Sequence, residues 1–555
     1  MKTSVLGLTL ACAALLAGCG QSTLADGDKA AAAGGPRVVV ADLDTAFNPY
    51  HAFFYESQKR PLNSPIYPAG HGPSAVTPEV LAAFGIDEDH ILDVTRTGKY
   101  ANDIKTDAAL WAGVKRRELY WFRGTNVLAI SFVSDAEAPL YPTADKSEHG
   151  VGTSGAVLTA NPEAIVLFVE SDDTLGSEAP HAYAFNHPLV DILTTSYGVS
   201  LGIPGVGGTG VWASDTNAFY SSFNGVVHLG KLHFSSSFNM QGWTPGRGGA
   251  GPWWSIGISG IEEGDSEGRT ATSGEFPDFV ADFTQNLPYC NDCESGLTPG
   301  TAGTSFATPR SAGTASRVLL EARRALGHLG GIQLAGDVPV MVNGGGRTIS
   351  NWQLRRALEQ AAYVGGTADY SPGGDPPVND AAPYLQVGWG ELSVTPEKNV
   401  VANALGALGL GTLAADKGAA FCDFQTKLVE ERHAYWDNVS PLSDTAYDQT
   451  VWPVIEPLLS ALIGTVPADA QPYVAYVLGY ADQRGDPAED IADPFIYCGS
   501  TLPPLPSASP VPLPSGDGDG GSGGGTSTTC TDAMPGVSLD PADPTATFQE
   551  QSCNA

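Results

Sequence analysis

Short β-branched runs alternate along the chain with longer stretches whose apolar residues recur every three or four positions. Runs at Arg37–Ala41, Ala164–Val169, Leu189–Thr194, Lys231–Ser235 and Trp253–Ser259 predict strands buried on both faces. Helical spacing marks Pro78–Phe84, with Thr77 placed to cap it, and then Asn217–Phe223, Thr308–Leu326 and Ser350–Tyr363. Strands alternating with helices predict an α/β domain around a mostly parallel sheet. The pattern from Phe53 to Lys146 is mixed, and the domain is predicted to span residues 37–405. Beyond it, residues 406–500 form a helix-like region rich in Leu, Val, Ala and Trp. Residues 501–528 read as a disordered linker, first Pro-rich and then Gly/Ser/Asp-rich, with too little apolar surface to fold. The tail at 529–555 is too small to fold without a disulfide.

Composition narrows this picture. The chain has 555 residues, and 42% of them are hydrophobic, enough for a sizeable core. Its 61 acidic residues outweigh 28 Lys and Arg, giving a net charge of −33. Such a surface repels phosphate, which argues against nucleic acid or an anionic membrane face as partner.

The first residues predict export. Lys2 precedes a short apolar run, Val5–Leu16, too brief to span a bilayer, and Leu16-Ala17-Gly18-Cys19 follows. Those four residues resemble the bacterial lipobox, which implies a signal peptide over 1–18, lipidation of Cys19 and a spacer over 19–36. The expected location is the cell envelope outside the cytoplasm, held to the membrane through the N-terminal lipid. Ordinary cleavage nearby, with Cys19 incidental, is the alternative. Setting aside Cys12 and Cys19 leaves six cysteines, an even number that suits disulfides in an exported chain. Nearest-neighbour pairing gives Cys290–Cys293, Cys422–Cys498 and Cys530–Cys553, with other pairings open. The Cys290-x-x-Cys293 spacing also suits a redox pair or half a zinc site, but no second Cys or His pair lies near it.

The sharpest chemical signal is Gly303-Thr304-Ser305-Phe306-Ala307-Thr308-Pro309. A serine at the start of a helix is exposed, and its own N–H points toward any oxyanion that develops beside it. An ordinary Ser/Thr helix cap would carry the same residues. Two other stretches give the motif company. Asp44-Thr45-Ala46 follows the first buried run, and His149-Gly150-Val151-Gly152-Thr153 precedes the second. Acid, imidazole and hydroxyl drawn from such places can meet at the carboxyl edge of a parallel sheet, where sites form in open α/β folds.

In these motifs, over about Arg37 to Leu405, the sequence resembles the subtilisin-like serine peptidases, whose chain order is also Asp, His, Ser. The resemblance implies a three-layer α/β/α domain and hydrolysis of protein or peptide substrates. It implies that Ser305 is the nucleophile, His149 the general base and Asp44 the group that orients the imidazole. Asn239, at the end of Phe234–Phe238, would be the second oxyanion donor, and Ser196-Tyr197-Gly198 would pair with an extended substrate. No cofactor is required. Relatives often bind structural calcium in surface loops, and the chain is rich in Asp, but no loop here has an EF-hand pattern.

Alternatives stand beside these assignments. Asp42 shares a strand face with Asp44 and could orient the imidazole; His71-Gly72 repeats the His-Gly pair; His51 suits a local hydrogen bond. Val151 stands where relatives carry Thr, and Phe238 where they carry a small residue lining the substrate pocket. The 104 residues between Asp44 and His149 exceed the family's usual spacing, so 53–146 reads as an insertion. The segment Gly20–Pro36 is too short for a propeptide that assists folding. Three other functions compete: a catalytically silent surface binding protein, a peptidase with a Ser-Glu-Asp site, and an α/β hydrolase. The hydrolase lacks its Gly-x-Ser-x-Gly elbow here.

Overall fold

The computed structural model describes residues 36–55, 76–134, 136, 138–143, 146–171, 178–196, 221–222, 224–237, 239, 254–261, 278–335, 338–363 and 389–411. Nine strands make one sheet: β1 (Val39–Asp44), β2 (Ile91–Leu92), β3 (Leu119–Phe122), β4 (Val127–Ser131), β5 (Ile165–Glu170), β6 (Ile192–Thr195), β7 (Leu232–Ser236), β8 (Ile256–Ile261) and β9 (Phe279–Asp282). Their spatial order is β2-β3-β4-β5-β1-β6-β7-β8-β9, and every pairing is parallel except β3 with β4. The architecture is α/β with a mostly parallel sheet.

Eight α-helices are described: α1 (Pro78–Ala83), α2 (Tyr100–Thr106), α3 (Ala108–Trp111), α4 (His149–Ala160), α5 (Glu178–Asn186), α6 (Thr304–Leu326), α7 (Asn351–Ala361) and α8 (Val400–Ala407). They cover the sheet from both sides. Val40, Phe168, Ile192 and Phe234 face a core shared with Val151 of α4, Leu319 of α6 and Leu358 of α7. Val39, Ala41, Leu43 and Leu167 face the other way, onto Val80 of α1 and Phe185 of α5. A strand covered on both faces must be apolar at nearly every position, which is why the start of β1, through Ala41, reads as an apolar, largely β-branched run.

The register of β1 corrects one boundary. The expected strand stops at Ala41, but pairing continues through Asp42↔Phe168, Leu43↔Val169 and Asp44↔Glu170. Both aspartates therefore lie inside the strand. Their polarity hid this, because the carboxyls are accommodated by specific partners and not by apolar packing. The helix expected from Thr308 begins earlier, at Thr304, because Gly303 occupies its N-cap with φ +155°, a conformation a side chain would resist. Pro309 lies within that helix.

Residues 53–146 contribute β2, β3 and β4, of which β4 pairs directly with β5, so much of that stretch is built into the sheet. Within the expected helix Asn217–Phe223, only 221 and 222 are described, and a π-helical turn, Asn224–His228, follows. The signal segment, Cys19, His71, Tyr197, Gly198, Phe238, the 412–555 region and its four cysteines lie outside the described residues.

Candidate active site

The strand order changes direction at β1: β5 lies on one side and β6 on the other. Crossovers leave that point toward opposite edges, opening a crevice at the carboxyl ends of the strands. Asp44 is the last residue of β1, so the topology delivers it into the crevice.

His149 opens α4. Its Nδ1 lies 2.9 Å from both carboxylate oxygens of Asp44, so an N–H there donates to the acid. Asp44 is 1% exposed as a side chain and His149 25%, which makes this a contact with one dry and one wet partner. The Thr45 N–H and hydroxyl both donate to Asp44 Oδ1, at 2.8 and 3.2 Å, holding the carboxylate still. Glycines let the helix approach this closely. A Cβ on Gly150 would collide with the Ala46 carbonyl and the Phe168 ring, and one on Gly152 would lie 2.7 Å from Tyr289 and 2.8 Å from Phe306.

Ser305 occupies the first turn of α6. The next residue, Phe306, packs its ring against the His149 imidazole, centroids 5.3 Å apart, and Tyr289 meets the same ring edge-on at 5.6 Å. Ser196, just past β6, exchanges two hydrogen bonds with Ser305. Its hydroxyl donates to the Ser305 carbonyl at 2.7 Å, and the Ser305 hydroxyl donates to the Ser196 carbonyl at 3.1 Å. Pro309 explains the first bond. Lacking an N–H, it leaves the carbonyl four residues earlier, that of Ser305, without its usual intrahelical donor.

Asn239 is exposed beside this turn. Its Oδ1 accepts from the Thr304 N–H at 2.8 Å and from the Thr304 hydroxyl at 2.9 Å. Two donors on the oxygen fix the amide's orientation and turn Nδ2 to the Gly303 side, where a Cβ would lie 3.4 Å away. Nothing in the sequence pattern singled out Thr304 for this role, although it lies inside the motif.

A second acid adjoins Asp44. Glu170, its register partner on β5, is 1% exposed, pairs with Lys146 at 2.7 Å and accepts from the Leu140 N–H at 2.7 Å. Asp42 does not meet the imidazole: it accepts from the hydroxyls of Thr153 and Ser154 on α4. Burial first, and then the neighbouring Asp44 charge, push Asp42 up to about 8. His51 lies aside from the crevice, accepting from the Phe53 N–H with Nδ1 while Nε2 lies 2.8 Å from the Gly296 carbonyl; burial lowers it to about 4.

The loop after Tyr289 braces the Asp44 segment. Asn48 donates to the carbonyls of Cys290 and Cys293 at 2.9 and 2.8 Å, and Asn291 donates to the Lys146 carbonyl at 2.8 Å. The two cysteine Cα atoms are 5.9 Å apart, within the span that a disulfide bridges. Among the described residues, no group of three or more His, Cys, Asp or Glu could hold a metal ion, and no helix is long and apolar enough to cross a membrane.

No protein-family profile matches the chain, and no curated protein matches it. Solved structures do. A mutant of the protease domain of PatA is 14% identical over 68% of this chain and 98% of its own, with a TM-score of 0.38. The prenylagaramide maturation protease PagA is 13% identical, covering 66% and 95%, at 0.35. Fervidolysin from Fervidobacterium pennivorans, a keratinolytic enzyme related to subtilisin, is 14% identical, covering 67% of this chain and 43% of its own, at 0.33. Likeness of this degree does not fix a family, so what the chain does must be argued from its own geometry.

Proposed function

We propose that the chain is a subtilisin-like serine endopeptidase. The observation that carries this reading is the paired contact of Asp44 with His149 Nδ1, at a topological switch point, with the residue after Ser305 packed on the same imidazole. A serine hydroxyl is a weak nucleophile unless a base takes its proton. With Nδ1 committed to Asp44, Nε2 is the nitrogen that takes the proton from Ser305 Oγ and returns it to the leaving amine. Asp44 holds the imidazole in that tautomer and stabilises the imidazolium. The tetrahedral oxyanion is met by the Ser305 N–H at the start of α6 and by Asn239 Nδ2. The extended substrate pairs with the main chain of Ser196, Tyr197 and Gly198.

The natural substrates are proteins or peptides, and the chemistry calls for no cofactor. The mature chain is exported and anchored through a lipid on Cys19, with Cys290 and Cys293 joined as a disulfide. A silent surface binding protein is the competing reading, and one contact favours it: the Ser305 hydroxyl is engaged with the Ser196 carbonyl at 3.1 Å. A fluorophosphonate probe separates the two. Labelling and peptide hydrolysis by the wild-type chain, both lost in Ser305→Ala, establish the peptidase. No labelling of either protein establishes the silent scaffold. Loss of activity in Ser305→Ala should reach about 10⁶-fold in kcat.

A further inference from the structure

Asp42 lies on β1 two residues before Asp44, on the same strand face, and is fully buried. Its Oδ2 accepts from Thr153 Oγ1 at 2.9 Å and from Ser154 Oγ at 2.7 Å. Those hydroxyls sit on α4 one turn beyond His149. The strand bearing the acid and the helix bearing the imidazole are thus fastened together directly beneath the Asp44–His149 contact. The same face of the sheet carries the apolar core, to which Val40, Val151 and Phe168 belong. A carboxyl placed there is costly to bury unless its contacts require it.

We propose that Asp42 is a positioning residue whose carboxyl seats α4 on β1 and so keeps the imidazole of His149 on Asp44. This rests on the hydrolytic reading given above. The acid works in its neutral form. Burial, and then the charge of Asp44, push the carboxyl up to about 8; its Oδ1 receives no hydroxyl. Thr194, opposite Asp42 on β6, also has a buried hydroxyl without a protein partner among the described residues. The charged groups around Asp42 are few. Asp44 is on its own strand and His149 on α4; β5 brings Glu170, already paired with Lys146. The arginines of α6 that pack inward turn elsewhere, Arg310 to Asp282 and Arg323 to Asp191.

The test compares Asp42→Ala, Asp42→Asn and the double variant Thr153→Val/Ser154→Ala in the full chain, using a peptide substrate. Asp42→Ala should lower kcat about 100-fold with KM little changed, the loss expected when a catalytic group is slightly misplaced. Asp42→Asn, a neutral analogue of the same shape, should recover to within about threefold of wild type. The double variant removes the contact from the other side and should reproduce the alanine loss, which covers the case in which Asp42→Ala does not fold.

The pH profile adds a readout that simple packing would not move. Wild-type kcat should decline as pH rises through about 8, when Asp42 loses its proton, and the decline should be absent in Asp42→Asn. Stability has a defined sign as well. The folded value lies above the unfolded one near 3.8, so the Asp42 contribution is complete below about pH 4 and is lost as pH rises toward 8. The thermal midpoint of wild type should fall over that window relative to Asp42→Asn. An asparagine variant as impaired as the alanine one, or one that keeps the alkaline decline, overturns the proposal. If wild type neither cleaves peptide nor takes a fluorophosphonate, the hydrolytic reading fails instead. The downfield NMR proton on His149 Nδ1 then still reports Asp42: it should persist in Asp42→Asn and be lost in Asp42→Ala.

Discussion

Two buried aspartates mark the opposite ends of the central strands, and they do opposite things. At the amino edge, Asp191 accepts from Nη2 and Nη1 of Arg323, at 2.7 and 2.8 Å, and from the Val39 N–H at 2.9 Å. Both partners are 0% exposed, and Arg323 also donates to the carbonyls of Arg37 and Met341. Lys231 lies nearby, donating to the carbonyls of His187 and Val190, and burial pushes its amine down to about 7. At the carboxyl edge, Asp44 is as deeply buried, but its partner is an imidazole that reaches solvent. An arginine never releases its proton, so the amino-edge pair is a fixed bolt. An imidazole gives and takes a proton near neutrality, so the same acid partnered by histidine can do chemistry. Burial does not tell these two acids apart; the titration range of the partner does.

That contrast can be broken in three ways. Asp44→Asn keeps the shape but removes the charge that selects the imidazole tautomer. It should cost about 10⁴-fold in kcat while leaving the thermal midpoint close to wild type, measured by peptide hydrolysis and calorimetry. Were the midpoint to collapse with activity intact, the carboxyl-edge acid would be a bolt too. Asn239→Ala should cost about 100- to 1,000-fold in kcat, because only the transition state carries the oxyanion. An unchanged kcat would show that this amide faces no developing charge. Arg323→Leu leaves Asp191 buried and unpaired, and denaturant unfolding should report a loss of about 3–5 kcal/mol. Activity per folded molecule should stay near wild type, since the bond lies at the far edge of the sheet.

Much of the fold was legible because periodicity reports burial. Strands covered on both faces need apolar residues nearly throughout, and β5, apolar from Ile165 to Val169, announces itself in this way. The end of β1 was hidden, since Asp42 and Asp44 interrupt the apolar run that continues structurally to Asp44. Strands β2, β3 and β4, on one side of the sheet, are hidden for another reason: they lie in a stretch whose pattern mixes both periods.

In the site, residue types at motif spacing named Asp44, His149, Ser305 and Asn239. Asp42 and Asp44 share a strand face, and motif context favours Asp44; in the structure Asp44 meets the imidazole and Asp42 the hydroxyls of α4. Thr304 went unnoticed as the group that fixes the Asn239 amide, because 65 residues separate them. The Lys146–Glu170 pair beside Asp44 was also invisible, for the same reason of distance along the chain.

The sequence by itself determined the alternation of strands and helices, the acidic surface and the small set of residues able to run acid–base chemistry. These depend on side-chain type and local spacing, which the chain carries whether folded or not. Only tertiary structure decided that β1 lies at the switch point, that Asp44 and not Asp42 touches His149, and that Pro309 releases the Ser305 carbonyl to Ser196. Those are matters of register and approach between segments far apart in sequence. Hydrogen bonds of defined length settle them only once the sheet has closed.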